Sequence, residues 1–332
     1  MKHQLKEYSI ENKFLRVSIL NYGATIKAIY YKNDNLEVNM VATLAKNEDY
    51  LSDINPYMNS IVGPTAGRIA YAHYLDNDNI IGLSANSNKH HLHGGFSTTS
   101  KKYFLVEEIS ASKLKLTLIA NHEDDGYPQG AYRYQIIYTL QENTLKIDYQ
   151  CIPPSRSLLN LTNHLYFNLG SSASDIRNHI LTIPANARAR ITKDNYPDKM
   201  VEIPDNSPYN FRKGANIGEQ LLKNSSEFKT TKGFDHPFYL DSNTIKLENF
   251  DTGYCLEIET DQEAVVVYTA NWFSEQIILE GGILGKAQQF IALEVQEIPN
   301  SINMPELITS FYDAENPYFQ TTSYKFTKIN KK

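Results

Sequence analysis

Residues 134–149, YQIIYTLQENTLKIDY, decide the reading of the fold. Tyr134, Ile136, Tyr138 and Leu140 interleave with Gln135 and Thr139, and Leu145, Ile147 and Tyr149 alternate with Lys146 and Asp148. A period of two puts apolar side chains on one face of an extended chain and polar ones on the other, the pattern of a half-buried strand. The same alternation recurs in both directions from here. Leu15, Val17 and Ile19 alternate with Arg16 and Ser18, and Leu114, Leu116 and Leu118 with Lys115 and Thr117. Further strands are expected over 180–183, 244–248, 254–259, 265–269 and 291–296, while only short stretches such as 216–223 carry a helical period. Short strands separated by Gly, Asn, Asp and Pro clusters predict an all-β protein, a large antiparallel sandwich or barrel. Segment 193–216 has the length of an irregular loop, and loops that long often carry function. Strands of one kind lie on both sides of it, so residues 1–332 read as a single domain.

Composition narrows the function classes. A hydrophobic content of 41% and a charged content of 21% are those of a soluble globular chain. A net charge of -6 gives nucleic acid no general reason to bind. The one basic cluster, KFTKINKK at 325–332, reads as a solvated tail. Cys151 and Cys255 fit neither a disulfide framework nor a zinc pattern and read as buried thiols. With no apolar leader and no run long enough for a membrane span, the expected setting is the cytoplasm, without membrane contact.

Five stretches carry candidate chemistry. HHLHGG, residues 90–95, gathers three of the nine histidines. On a strand, His91 and His93 would point to one side and could share a metal ion, as in the cupin family. The glutamate which that pattern needs shortly afterwards is missing, and the two glycines suggest a turn. NLTNHLYFNLG, residues 160–170, reads as a two-faced strand: Leu161, Leu165, Phe167 and Leu169 on one side, and Asn160, Thr162, His164, Tyr166 and Asn168 on the other. IALEVQEIPN, residues 291–300, repeats the design with Glu294 and Gln296 opposite Ile291, Leu293 and Val295. A mid-strand glutamate in such company is a candidate general base, the alternative being an edge carboxylate in a salt bridge. GFDHPFYL, residues 233–240, offers Asp235 in what reads as a turn. GPTAGRIA, residues 63–70, offers Arg68 among small residues. There is no nucleophile elbow, and GGILGKA at 281–287 fails the P-loop spacing. A site of His, Glu, Asp and Arg without cofactor or metal suits proton transfer.

In this order the stretches LNYGATIKAI, AGRIA, HLHGG, DGYPQGAY, NLTNHLYFNLG, GFDHPF, YTANWF and LEVQEIPNSINMP resemble the aldose 1-epimerases, or galactose mutarotases, along essentially the whole chain. The resemblance implies a galactose-mutarotase-like supersandwich with a sugar in an open cleft, the polar faces of 160–168 and 292–296 lining it. It implies Glu294 as base and His164 as acid, with Arg68, His93 and Asp235 binding the substrate, a monosaccharide or small glycoside. Two positions depart from the family: Gly67 stands where many members have Asn, and Val266 where some have Gln. The preferred sugar (galactose, glucose or maltose) and the state, monomer or homodimer, therefore stay open. So do two other functions on the same fold, a carbohydrate-binding or regulatory protein and a sugar-phosphate epimerase.

Overall fold

The computed structural model describes residues 4–33, 36–171 and 173–329. Tyr132–Gln141 and Thr144–Ile152 form an antiparallel hairpin closed at Gln141 and Thr144. The alternating side chains Tyr132, Tyr134, Ile136, Tyr138 and Leu140 are all buried. Each large side chain buried in this way contributes about 1.5–3 kcal/mol. The tyrosine hydroxyls find partners inside: Tyr132 meets Ser157 at 2.8 Å, Tyr134 meets His122 at 2.9 Å, and Tyr138 donates to the carbonyl of Ala24.

This hairpin sits within a nine-stranded sheet whose paired strands are all antiparallel. A six-stranded sheet faces it, in the order Tyr166–Phe167, Ile291–Gln296, Ala264–Tyr268, Asp235–Tyr239, Ala187–Ile191 and Pro197–Glu202. A four-stranded sheet, Glu7–Glu11 to Leu36–Asn39, is the third large one. One hydrophobic cluster spans all three and runs from Ile10 to Phe326. In four of the six strands of that sheet, alternate residues enter the cluster: Phe167, Phe238, Val265, Val267, Ile291, Leu293 and Val295. The residues between them, Tyr166, Asp235, Val266, Tyr268, Glu294 and Gln296, line a cleft on the opposite face. A one-residue slip in any of these strands would exchange core for cleft.

The structure departs from the sequence expectations in several places. Residues 160–170 are not one strand. Thr162–Asn163 pairs with Ile61–Val62, and Tyr166–Phe167 with Ile291–Ala292. The break falls where the backbone N–H of His164 turns to the carbonyl of Ser60 and its own carbonyl accepts the N–H of Asn59. Segment 193–216 is not an unbroken loop, because Pro197–Glu202 pairs with Ala187–Ile191. Its strand character is masked in sequence by the opening proline and the charges after it. Asp235 opens a strand rather than a turn, and Pro237 is tolerated inside that strand. The ladder on the side of Ala187 reaches only Phe238 and Tyr239, so no rung on that side calls for the missing N–H. Within 325–332, residues up to Lys328 close the last strand, Tyr318–Lys328, while 330–332 lie outside the described residues. Cys151 is buried, but Cys255 is only partly so. The helix expected over 216–223 appears as Ile217–Leu222. No helix among the described residues is long and apolar enough to cross a membrane.

Candidate active site

Arg68, His93, His164, Asp235 and Glu294 all border one open cleft of about 230 Å³. Glu294 stands mid-strand opposite Val266 and is 4% exposed. His164 is equally buried, and its Nε2 lies 3.5 Å from the Glu294 Oε1. Tyr57 and Tyr166 both stack on the His164 ring, at centroid distances of 6.3 and 4.8 Å.

Burial acts on the two groups in opposite senses, since it penalises whichever form is charged. It pushes the Glu294 carboxyl well above the usual carboxylate range. Asp235 adds to that shift and Arg68 opposes it. It lowers the His164 imidazole to about 4. The two shifts are opposite in sign and reverse the ordinary order, so the carboxyl holds a proton more readily than the imidazole.

His93 comes from the turn that HHLHGG forms. It has a left-handed backbone, φ 51°, and Gly94 and Gly95 follow at 80° and 86°. A Cβ at Gly94 would lie 2.2 Å from the carbonyl oxygen of Gly63, so the turn fits only without a side chain there. Arg68 pairs with Leu92 across a short ladder, and His93 closes it: its N–H donates to the Gly67 carbonyl, and its Nδ1 accepts the Gly67 N–H at 3.1 Å. That bond assigns the remaining proton of the neutral ring to Nε2. Burial, with the positive charges that His164 and Arg68 can carry, holds His93 well below its ordinary pKa, so it is a neutral donor. Among the described residues no carboxylate lies within ion-pair distance of the Arg68 guanidinium. Asp235 has a neighbour in Asn195, whose Nδ2 lies 3.5 Å from Oδ2.

His91 and His93 do not face each other as a metal-binding pair would require. His91 turns to Ser84 and Tyr127, away from His93, and among the described residues no group of three His, Cys, Asp or Glu side chains could hold a metal ion. Asn160, Thr162 and Asn168 do not line the cleft; their side chains bond to main-chain groups elsewhere. Four polar or aromatic lining residues are not among the sequence candidates: Tyr57, Asn195, and Tyr268 and Trp272 of YTANWF. Trp272 is the sole tryptophan, is 60% exposed and donates its backbone N–H to the Tyr268 hydroxyl at 3.2 Å. Its signal was available in YTANWF, as an isolated large aromatic residue among small polar ones. Tyr57 had no comparable signal.

A buried carboxyl and an imidazole thus face each other in a cleft rimmed by hydrogen-bonding groups on a β-sandwich, an arrangement with the chemistry to pass protons to and from a bound molecule. The family model for aldose 1-epimerase matches residues 6–325, and the chain belongs to that family. An aldose 1-epimerase from Haemophilus influenzae is 31% identical over 94% of this chain and 92% of its own length. A galactose mutarotase from Mus musculus is 27% identical over 97% of this chain and 94% of its own. The crystal structure of a galactose 1-epimerase from Lactobacillus acidophilus superposes with a TM-score of 0.87 at 27% identity, covering 99% of this chain and 96% of that one.

Proposed function

We propose that the protein is an aldose 1-epimerase, an isomerase that interconverts the α and β anomers of free aldoses, with Glu294 and His164 as its acid–base pair. The observation that carries this is the buried 3.5 Å approach of these two groups in the cleft of a chain of this family. Anomer exchange requires removal of a proton from the C1 hydroxyl and delivery of one to the ring oxygen. Both oxygens are bonded to C1, so the groups serving them must stand close together. Glu294 takes the hydroxyl proton as the C1 carbonyl forms and the bond from C1 to the ring oxygen breaks, and His164 protonates that oxygen. Rotation about C1–C2 presents the other carbonyl face. The C5 hydroxyl then attacks C1, its proton returns to His164, and protonated Glu294 returns its proton to O1.

Burial favours the single proton of the pair on Glu294, so the step written above starts from the tautomer in which that proton stands on His164, and the same tautomer is restored at the end of the cycle. Neutral His93, donating from Nε2, stabilises charge on the ring oxygen as it parts from C1. Arg68 and Asp235 hold hydroxyl groups. The substrate we infer is a hexose of the galactose or glucose type. Gly67, φ 75°, has no room for the side chain many relatives carry, because a Cβ would meet Pro299 at 2.5 Å. Val266 adds an apolar contact, and Trp272 leaves a flat face at the cleft margin for a second ring such as that of maltose.

Polarimetry on freshly dissolved α-galactose, α-glucose and maltose tests this. Accelerated exchange that is unaffected by EDTA is expected; spontaneous rates for all three sugars would refute the reading.

A further inference from the structure

The pairing between residues 160–167 and the strand Ile291–Gln296 changes its chemistry part-way along. Tyr166 and Phe167 pair with Ala292 and Ile291 through the backbone. Carried two residues further, that register sets His164 opposite Glu294. At that point the backbone has left the strand, since His164, Asn163 and Thr162 bond to segment 59–62. Side chains take over the rungs. Thr162 Oγ1 donates to the Val295 carbonyl at 3.0 Å. Asn160 Nδ2 donates to the Glu297 carbonyl at 3.1 Å, and its Oδ1 accepts the Glu297 N–H at 3.0 Å. A primary amide carries the same donor and acceptor as a peptide group, so Asn160 substitutes for a strand residue. Its own backbone accepts from Ala66 at 2.7 Å and donates to Pro64 at 2.8 Å, on the turn that leads to Gly67 and Arg68. Both side chains are buried, and neither borders the cleft.

We propose that Asn160 and Thr162 are positioning residues, a ladder of side chains that keeps His164 in register with Glu294 after the backbone has been diverted. The diversion is useful because it lets Tyr57, on the neighbouring loop, pack over His164. The side-chain rungs prevent the register loss that would otherwise follow. This inference rests on the acid–base reading of His164 and Glu294.

The test measures anomer exchange of galactose by wild type, Asn160→Ala, Thr162→Val, Thr162→Ser and, as reference, Glu294→Gln. A displacement of about 1 Å in a reacting group can cost on the order of a hundredfold in rate. Asn160→Ala and Thr162→Val should therefore lose about tenfold or more in kcat, with KM within about threefold. Thr162→Ser, which keeps the hydroxyl, should stay near wild type. The limits of the kcat–pH profile should also move in Thr162→Val, because each member of the pair feels the other's charge across 3.5 Å. Thr162→Val covers the case in which Asn160→Ala does not fold. Wild-type kcat in folded Thr162→Val, a Ser variant as impaired as the Val variant, or a loss that only follows melting below the assay temperature would each overturn the ladder. If Glu294→Gln is fully active, the acid–base reading fails, and the inference falls with it.

Discussion

His91 is buried with its Nδ1 2.8 Å from the carbonyl of Ser84, so Nδ1 carries the proton, and Nε2 accepts from the Tyr127 hydroxyl at 2.9 Å. His93, two positions on, holds its proton on the other nitrogen because Gly67 donates to Nδ1. The left-handed turn at 93–95 separates the two rings, one bonded into the interior and the other offering a donor to the cleft. Gly94→Ala should lose more than about 1 kcal/mol, as expected where an alanine is forced to positive φ, and should weaken sugar binding by displacing His93. Thermal melting and KM check the two parts. Glu294 gives a sharper residue-scale prediction, because its folded pKa is raised above its unfolded value. Between those two values the folded state holds a proton that the unfolded state has released, so stability falls as pH rises through the window. Glu294→Gln removes that liability. Its melting temperature should therefore gain on wild type progressively from about pH 5 upward, while kcat falls about 10²–10⁴-fold. In the proposed mechanism, activity needs one proton on the pair. The wild-type profile should fall at acid pH where His164, lowered to about 4, takes a second proton, and again at alkaline pH where Glu294 loses the last.

At the scale of elements, the strand Asp235–Tyr239 is held from behind. His236 Nδ1 accepts the Asp235 N–H at 2.9 Å, and its Nε2 faces Glu227 at 3.4 Å. Glu227 in turn receives both terminal nitrogens of Arg188 and the N–H of the cleft residue Ile191. Burial raises the Glu227 pKa, but hydrogen bonds from His236 and Arg188 outweigh it and leave the carboxyl at about 2. A depressed folded pKa means that this stabilisation is complete above the unfolded value near 4.5 and is lost as pH falls toward 2. Arg188→Met should cost on the order of 3 kcal/mol, typical of leaving a buried charge without its partner, and should narrow the loss of stability between pH 5 and 3. Urea unfolding at the two pH values measures both. None of this network was legible beforehand. Alternation in one strand reveals its two faces, and that was enough for the core, for Glu294 and for the leucine face of 161–169. It does not reveal which distant backbone a polar side chain will satisfy. Asn160 and Thr162 share the polar face with His164 in the sequence, yet they bond to residues more than a hundred positions away. Pro197–Glu202 was hidden for a related reason, since its pairing with Ala187–Ile191 rests on backbone rungs that composition does not record.

On the scale of the molecule, the cleft draws residues from Pro56 to Pro299, and the cluster beneath it runs from Ile10 to Phe326. The five proposed site residues sit on separate turns and strands, so no single element holds them together. Their geometry depends on the sheets closing over one apolar interior. We infer from this that residues 1–332 behave as one cooperative domain, and the lone tryptophan makes the inference measurable. Trp272 borders the cleft at 60% exposure, with its backbone N–H anchored on Tyr268, so its fluorescence reports the site, whereas far-UV circular dichroism reports all the sheets. In a denaturant titration, fluorescence, circular dichroism and mutarotase activity should fall along one curve, as two-state unfolding requires. A fluorescence and activity transition well ahead of the circular dichroism would mean that the cleft face opens while the nine-stranded sheet stays folded, and the single-domain reading would fail. Galactose should shift the Trp272 emission in the native protein and move all three curves together to higher denaturant, because a ligand that binds only the folded state stabilises whatever unfolds with its site.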